Sequence, residues 1–244
     1  MKPTVVLLHG FLGDHTVWGE ITASLGKTHS VFTPDLLGHG KRPVVAKIHT
    51  MEMMAEDVKN QLGEGNSERF FLVGHSMGGY VALAFAKLFP QKVSGLCLFN
   101  STAYPDSPQR QKDRLRAAKI VEQNPEIFIR EAIPALYYEK NHRALKNKIE
   151  QYKEIAMSTP RKGIIAAILG MKDRQDQTEL ILNGRFPVLY LAGEHDQSVT
   201  AESVIEQTLD TPAEVHIFEN CAHMGFDERP AEYLKALEGF LNQI

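Results

Sequence analysis

The chain of 244 residues has only two cysteines, Cys97 and Cys221. So sparse a supply excludes a disulfide framework and suits a reduced compartment. An excess of charge of one sign is also missing. Lys and Arg number 27 against 30 Asp and Glu, which removes the electrostatic case for nucleic acid or an anionic membrane as partner. No stretch is long and apolar enough to span a bilayer, and "TVVLLHG" near the start is too short and lacks a cleavage region of the secretory type. Among ten histidines and two cysteines no His-x-x-x-His or Cys-x-x-Cys spacing occurs, and the dinucleotide signature G-x-G-x-x-G is absent. These absences lead us to expect a cytoplasmic chain with a small-molecule substrate and no metal, cofactor, nucleic acid or membrane. They leave the oligomeric state open.

Apolar residues make up 43% of the chain, enough for one large domain or one domain carrying an insertion. Short apolar runs at Thr4–His9, Ser30–Thr33, Arg69–Gly74 and Val93–Asn100 read as strands. They are rich in Val, Leu and Phe without clean alternation, as expected of a parallel sheet covered on both faces. Helical patterns fall between them at Val17–Leu25, Met51–Leu62 and Met77–Phe89, so the expected fold is α/β, doubly wound around a mostly parallel sheet. From about Asp106 to Gly184 the chain turns charged and helical, with Asn124-Pro125 and Ser158-Thr159-Pro160 as helix boundaries. Strand-like runs resume at "FPVLYLAGEHD" and "AEVHIFENCAH", and "RPAEYLKALEGFLNQI" closes as an amphipathic helix. The expected organisation is a core of residues 1–105 and 185–244 with a helical cap, 106–184, inserted late over the sheet's carboxyl edge, where open α/β sheets bind ligands.

Gly74-His75-Ser76-Met77-Gly78 matches G-x-S-x-G between an apolar strand and an alanine-rich helix. Composition alone supplies this pattern roughly 0.1 times in a chain this long, so the strand–turn–helix setting carries the weight. Side chains at Gly74 and Gly78 would crowd the turn, and Ser76 is expected with its hydroxyl exposed above the sheet beside a helix N-terminus. A serine nucleophile needs a base, and the base an orienting acid. Asp196 in "GEHD" and His223 in "CAHMG" follow in that order, each after an expected strand. Asn100, at the end of "LCLFN", stands where a competing acid would sit and has no carboxylate to offer. The oxyanion donors would be the backbone amides of Phe11, in the turn after the first strand, and Met77.

With "HGFLGD", "PDLLGHGKR", "GHSMGG", "GEHD" and "CAHMGFDERP" in order, the sequence resembles the α/β-hydrolase superfamily, specifically its small capped bacterial-type hydrolases. The resemblance covers the core and implies a cofactor-independent serine hydrolase, with a small carboxylic ester as substrate. Two alternatives stay open: a C–C bond hydrolase or menaquinone-pathway-type lyase using the same residues, and a hydrolase-fold small-molecule receptor. The lyase group commonly carries an arginine after the paired glycines, where this chain has Tyr80; Arg110, Arg114, Arg116 or Arg130 could still bind an acidic substrate. Among the other residues, "RQKDRLRAAK" reads as a solvated helix face, and Trp18, Phe128, Tyr137, Tyr138, Met157, Ile164 and Ile168 read as packing. His9 and His75 are read as turn packing, His39 as a loop stabiliser, His195 as exposed, and Asp227 as the start of the last helix.

Overall fold

A computed structural model describes residues 3–63 and 69–243; the Met1-Lys2 start lies outside them. The six strands are β1 (Thr4–Leu8), β2 (Val31–Phe32), β3 (Phe70–His75), β4 (Val93–Phe99), β5 (Val188–Gly193) and β6 (Glu214–Phe218). They form one sheet in the order β2-β1-β3-β4-β5-β6, and every pairing is parallel. Apolar residues on both sides of each strand explain the missing alternation. Val6 and Leu8 enter one buried cluster together with Met54, Val58 and Val81, whereas Val5 and Leu7 enter the other with Trp18, Leu25 and Leu237. The first cluster is closed by α2 (Met51–Leu62), α3 (Met77–Leu88) and α9 (Ala201–Thr208); the second by α1 (Gly19–Leu25) and α11 (Pro230–Leu241).

Chain order reverses between β1 and β3: β2 lies to one side of β1, and β3 with all later strands to the other. Ligand crevices of open α/β sheets form at such a switch point. Leu8 of β1 pairs with Gly74 of β3, so the loops leaving these two strands emerge side by side.

Between β4 and β5 the chain contains α4 (Pro108–Gln123), α5 (Pro125–Ala132), α6 (Lys146–Ser158), α7 (Arg161–Lys172) and α8 (Thr178–Leu182), and no strand. The boundaries follow local chemistry. Asn124 accepts a hydrogen bond from the Ile127 amide and so caps α5, whose first residue is Pro125. Pro160 separates α6 from α7. This segment rests on loops at the carboxyl edge of the sheet: the His49 amide donates to Ala166 O at 3.0 Å. Gly170 of α7 lies so close to the His49 carbonyl that any Cβ there would collide with it. Both cysteines are free and buried. No helix among the described residues is long and apolar enough to cross a membrane. The short α10 (Gly225–Glu228) precedes α11.

Candidate active site

Ser76 occupies the one residue between β3 and α3, with φ 51° and ψ −115°. A non-glycine residue there stores about 1–3 kcal/mol of strain, which the surroundings must hold in place. Three contacts do so. The Ser76 amide donates to Phe99 O at 3.0 Å, and its carbonyl accepts from the Gly79 amide at 2.9 Å and the Ser101 hydroxyl at 2.8 Å. A side chain on Gly74 would collide with the Gly78 carbonyl, and one on Gly78 with the Leu8 carbonyl. The turn can therefore lie against β1 only because both are glycine. From Phe70 to Ala86 every residue is buried except Ser76. Met77 opens α3, so its amide has no carbonyl one turn back to bond.

Asp196 follows β5 and His223 follows β6. His223 Nδ1 lies 2.7 Å from Asp196 Oδ2. The second oxygen, Oδ1, accepts from the amides of Ser198 (2.7 Å) and Val199 (3.0 Å), so the carboxylate caps its own loop while it faces the imidazole. Burial alone would raise the Asp196 carboxyl, but His223 and the hydrogen-bond donors outweigh it and hold the pKa below the ordinary value. An ionised acid puts the proton of a neutral ring on Nδ1 and leaves Nε2 with a lone pair. The backbone of His223 is held from both sides. Its amide donates to Leu136 O in the helical segment at 2.9 Å, and its carbonyl accepts from His75 Nε2 at 2.9 Å. Glu228 Oε1 binds the flanking amides of Ala222 (2.9 Å) and Met224 (3.3 Å).

Phe11, Ser76 and His223 line one small cleft of about 110 Å³. In the turn behind Phe11, the Gly13 amide donates to Gly10 O at 3.1 Å. His9 braces this turn: Nδ1 donates to Gly10 O at 2.8 Å and Nε2 accepts the Leu36 amide at 2.9 Å. Larger hollows of about 240 and 520 Å³ lie elsewhere, against Tyr152 and against Asn183. Neither contains Ser76, Asp196 or His223, so chemistry, not size, selects the cleft.

Several side chains behave differently from their sequence reading. Asn100 is not merely a missing acid. At φ 47°, it donates from Nδ2 to Asp196 Oδ2 (3.1 Å) and Ala222 O (3.0 Å), and its Oδ1 accepts from the Tyr233 hydroxyl (3.0 Å). The basic stretch is not uniformly solvated: Arg116 is exposed, but Arg110 and Arg114 turn into the cleft. His195 is half-buried, stacked at 4.0 Å on Tyr138. Asp227 does not cap α11; it accepts from the Tyr137 hydroxyl at 2.7 Å and pairs with Lys148 at 3.4 Å. Tyr80, where the lyase group commonly has arginine, carries the Arg174 guanidinium over its ring at 4.0 Å.

Residues 3–230 match the family described as alpha/beta hydrolase fold. The chain belongs to that family. Among solved α/β-hydrolases, a thermophilic esterase from Thermogutta terrifontis, determined with malate bound, is 33% identical and superposes with a TM-score of 0.92, covering 100% of this chain and 90% of that one. Among curated relatives, the 2-succinyl-6-hydroxy-2,4-cyclohexadiene-1-carboxylate synthase of Klebsiella pneumoniae is 27% identical over 98% of this chain and 94% of its own. An uncharacterized Mycobacterium tuberculosis protein is 36% identical, but over 99 residues only: 41% of this chain and 29% of that protein's length.

Proposed function

We propose that this α/β-hydrolase is a cofactor-independent serine carboxylesterase acting on small esters, with Ser76 as nucleophile, His223 as general base and Asp196 as the acid that orients it. The observation that carries the reading is the buried 2.7 Å contact between His223 and Asp196 in a cleft shared with a strained, partly exposed serine. His223 Nε2 takes the Ser76 proton as Oγ attacks the ester carbonyl; Asp196 keeps the imidazole in the required tautomer and stabilises the imidazolium that forms. The amides of Phe11 and Met77 hold the developing oxyanion, and each such donor typically contributes about 2.7–4 kcal/mol to the transition state. The imidazolium then protonates the departing alkoxide. Water, deprotonated by the same ring, cleaves the acyl–Ser76 ester and restores the enzyme. In this reading residues 106–184 act as a cap that closes the cleft with Leu136, Met171 and the two arginines.

A panel of short neutral and anionic esters, assayed with wild type and Ser76→Ala, tests this reading: turnover by wild type that Ser76→Ala abolishes is expected. Equal hydrolysis by the variant would refute it. A second reading, elimination on a succinyl-cyclohexadiene acid, is favoured by the full-length likeness to the Klebsiella synthase. It ranks behind because Tyr80 stands at the elbow position where that group commonly uses arginine.

A further inference from the structure

We propose that the cleft at Ser76 selects esters bearing a second, ionised carboxylate, and that Arg110 and Arg114 form the subsite that holds it. The inference rests on the esterase reading of this cleft. Both arginines project from one face of α4, at i and i+4, and both line the cleft with Ser76 and His223. Two like charges at that spacing repel one another, and a solvated helix would turn them outward.

Asp106 explains part of the arrangement. This buried carboxylate takes Arg174 Nη1 on Oδ1 at 2.5 Å and Arg114 Nε on Oδ2 at 2.5 Å. Arg174 spends further N–H groups on the carbonyls of Tyr104 and Met171, so it ties the segment leading into α4 to the end of α7 with three of its five N–H groups, and its guanidinium lies over Tyr80. Arg110 is different. Its Nε stands 3.7 Å from Asp106 Oδ1, beyond hydrogen-bond reach, and its side chain is 41% exposed. Arg114 keeps Nη1 unspent after its contacts to Asp106. Three guanidinium groups thus share one carboxylate, and among the described residues that line the cleft there is no Asp or Glu. Two positive charges lack a counter-charge at the mouth of a narrow cleft, where partial exclusion of water strengthens their pull on an anion. Arginine presents its N–H groups as a planar fork matched to a carboxylate.

The substrate class is therefore a hemiester of a short dicarboxylic acid, or an ester whose alcohol carries a carboxylate. Turnover is the same two-step hydrolysis. The Ser76–acyl bond forms as the alcohol leaves; one water then supplies the hydroxyl of the new acid while its other proton passes through His223 to Ser76 Oγ, and the new acid ionises into solvent. The second carboxylate is unchanged throughout.

The test compares kcat/KM for the monomethyl esters of succinate, glutarate and adipate with those of the matching dimethyl esters. A second arm compares acetoxyacetate with its methyl ester and distinguishes acyl-side from alcohol-side charge. At least one anionic member should exceed its neutral partner by about 10- to 100-fold at low salt, the range expected of hydrogen bonds to a charged group. Arg110→Gln and Arg114→Gln should each reduce that ratio severalfold or more, as should 0.5 M salt; the ratio cancels any general loss from altered packing. Binding gives a readout independent of turnover: monomethyl glutarate should raise the Tm of Ser76→Ala more than dimethyl glutarate does, and the difference should vanish in Ser76→Ala/Arg110→Gln. Neutral esters favoured in both kinetics and binding would overturn the proposal and leave the esterase reading standing. Loss of all turnover with the binding difference intact would instead overturn the esterase reading alone.

Discussion

Replacing Asn100 with alanine removes a side chain that lies outside the cleft lining yet holds the Asp196 carboxylate in place. Asn100→Ala deletes the donor to the ionised Asp196, the donor to Ala222 O and the acceptor of the buried Tyr233 hydroxyl. Loss of a hydrogen bond to a charged group costs about 1.5–3 kcal/mol, and leaving a buried hydroxyl unpaired costs about 1–3. The sum is about 2.5–6 kcal/mol, a large part of the 5–15 kcal/mol typical of a folded domain. Because Asn100 sits at φ 47°, alanine adds about 1 kcal/mol of backbone strain that glycine does not. Asn100→Gly should therefore be the milder variant by about 1 kcal/mol. At about 2–4 °C per kcal/mol for a chain of this size, and with the strain included, calorimetry should show Tm lowered by about 7–28 °C in Asn100→Ala. Where the protein stays folded, kcat on a short ester should fall by as much as ~10², the cost of a catalytic group misplaced by about 1 Å. Stability within 1 kcal/mol of wild type, or a glycine variant no better than alanine, would refute the hydrogen-bond accounting.

Two further outcomes follow from the same site. Asp196→Asn should lower kcat by about 10⁴ through loss of the charge that fixes the His223 tautomer; near-normal activity would point to another acid. His75 and His39 are buried and held neutral, with pKa values lowered from 6.5 to about 3 by desolvation first, and then by a neighbouring histidine, His223 and His9 respectively. Below pH 6.5 the unfolded chain binds protons that the folded one refuses, so this stability is complete above about 6.5 and fades as the pH falls toward 3. At pH 5 the cost is about 2 kcal/mol for each ring, about 4 together. Urea unfolding at pH 7.5 and 5.0 measures it, and equal midpoints would contradict the assignment.

The fold was legible where the signals are local. Unbroken Val/Leu/Phe runs mark strands covered on both faces, and the Asn-Pro and Thr-Pro pairs mark helix ends within one or two residues of where they fall. At the candidate site, the strand–turn–helix setting of Ser76 follows from glycine sterics alone, and the loops bearing Asp196 and His223 follow from strand order. What stayed hidden depends on contacts between distant parts of the chain. Asn100 and Asp196 are 96 residues apart and meet because β4 and β5 are neighbours in the sheet. The spacing of Arg110 and Arg114 puts them on one face of a helix, but packing of α4 on α7 decides that this face looks into the cleft. Asp227 reads as a helix start from its flanking sequence; only the fold brings Tyr137 and Lys148, from the distant helical segment, up to it.

In the proposed mechanism Ser76 is the residue acylated during turnover. Treatment with a fluorophosphonate followed by peptide mass mapping tests it most directly. One adduct per chain is expected, on Ser76, formed slowly in Asp196→Asn and not at all in Ser76→Ala. An unlabelled wild type, or an adduct on any other residue, would contradict it.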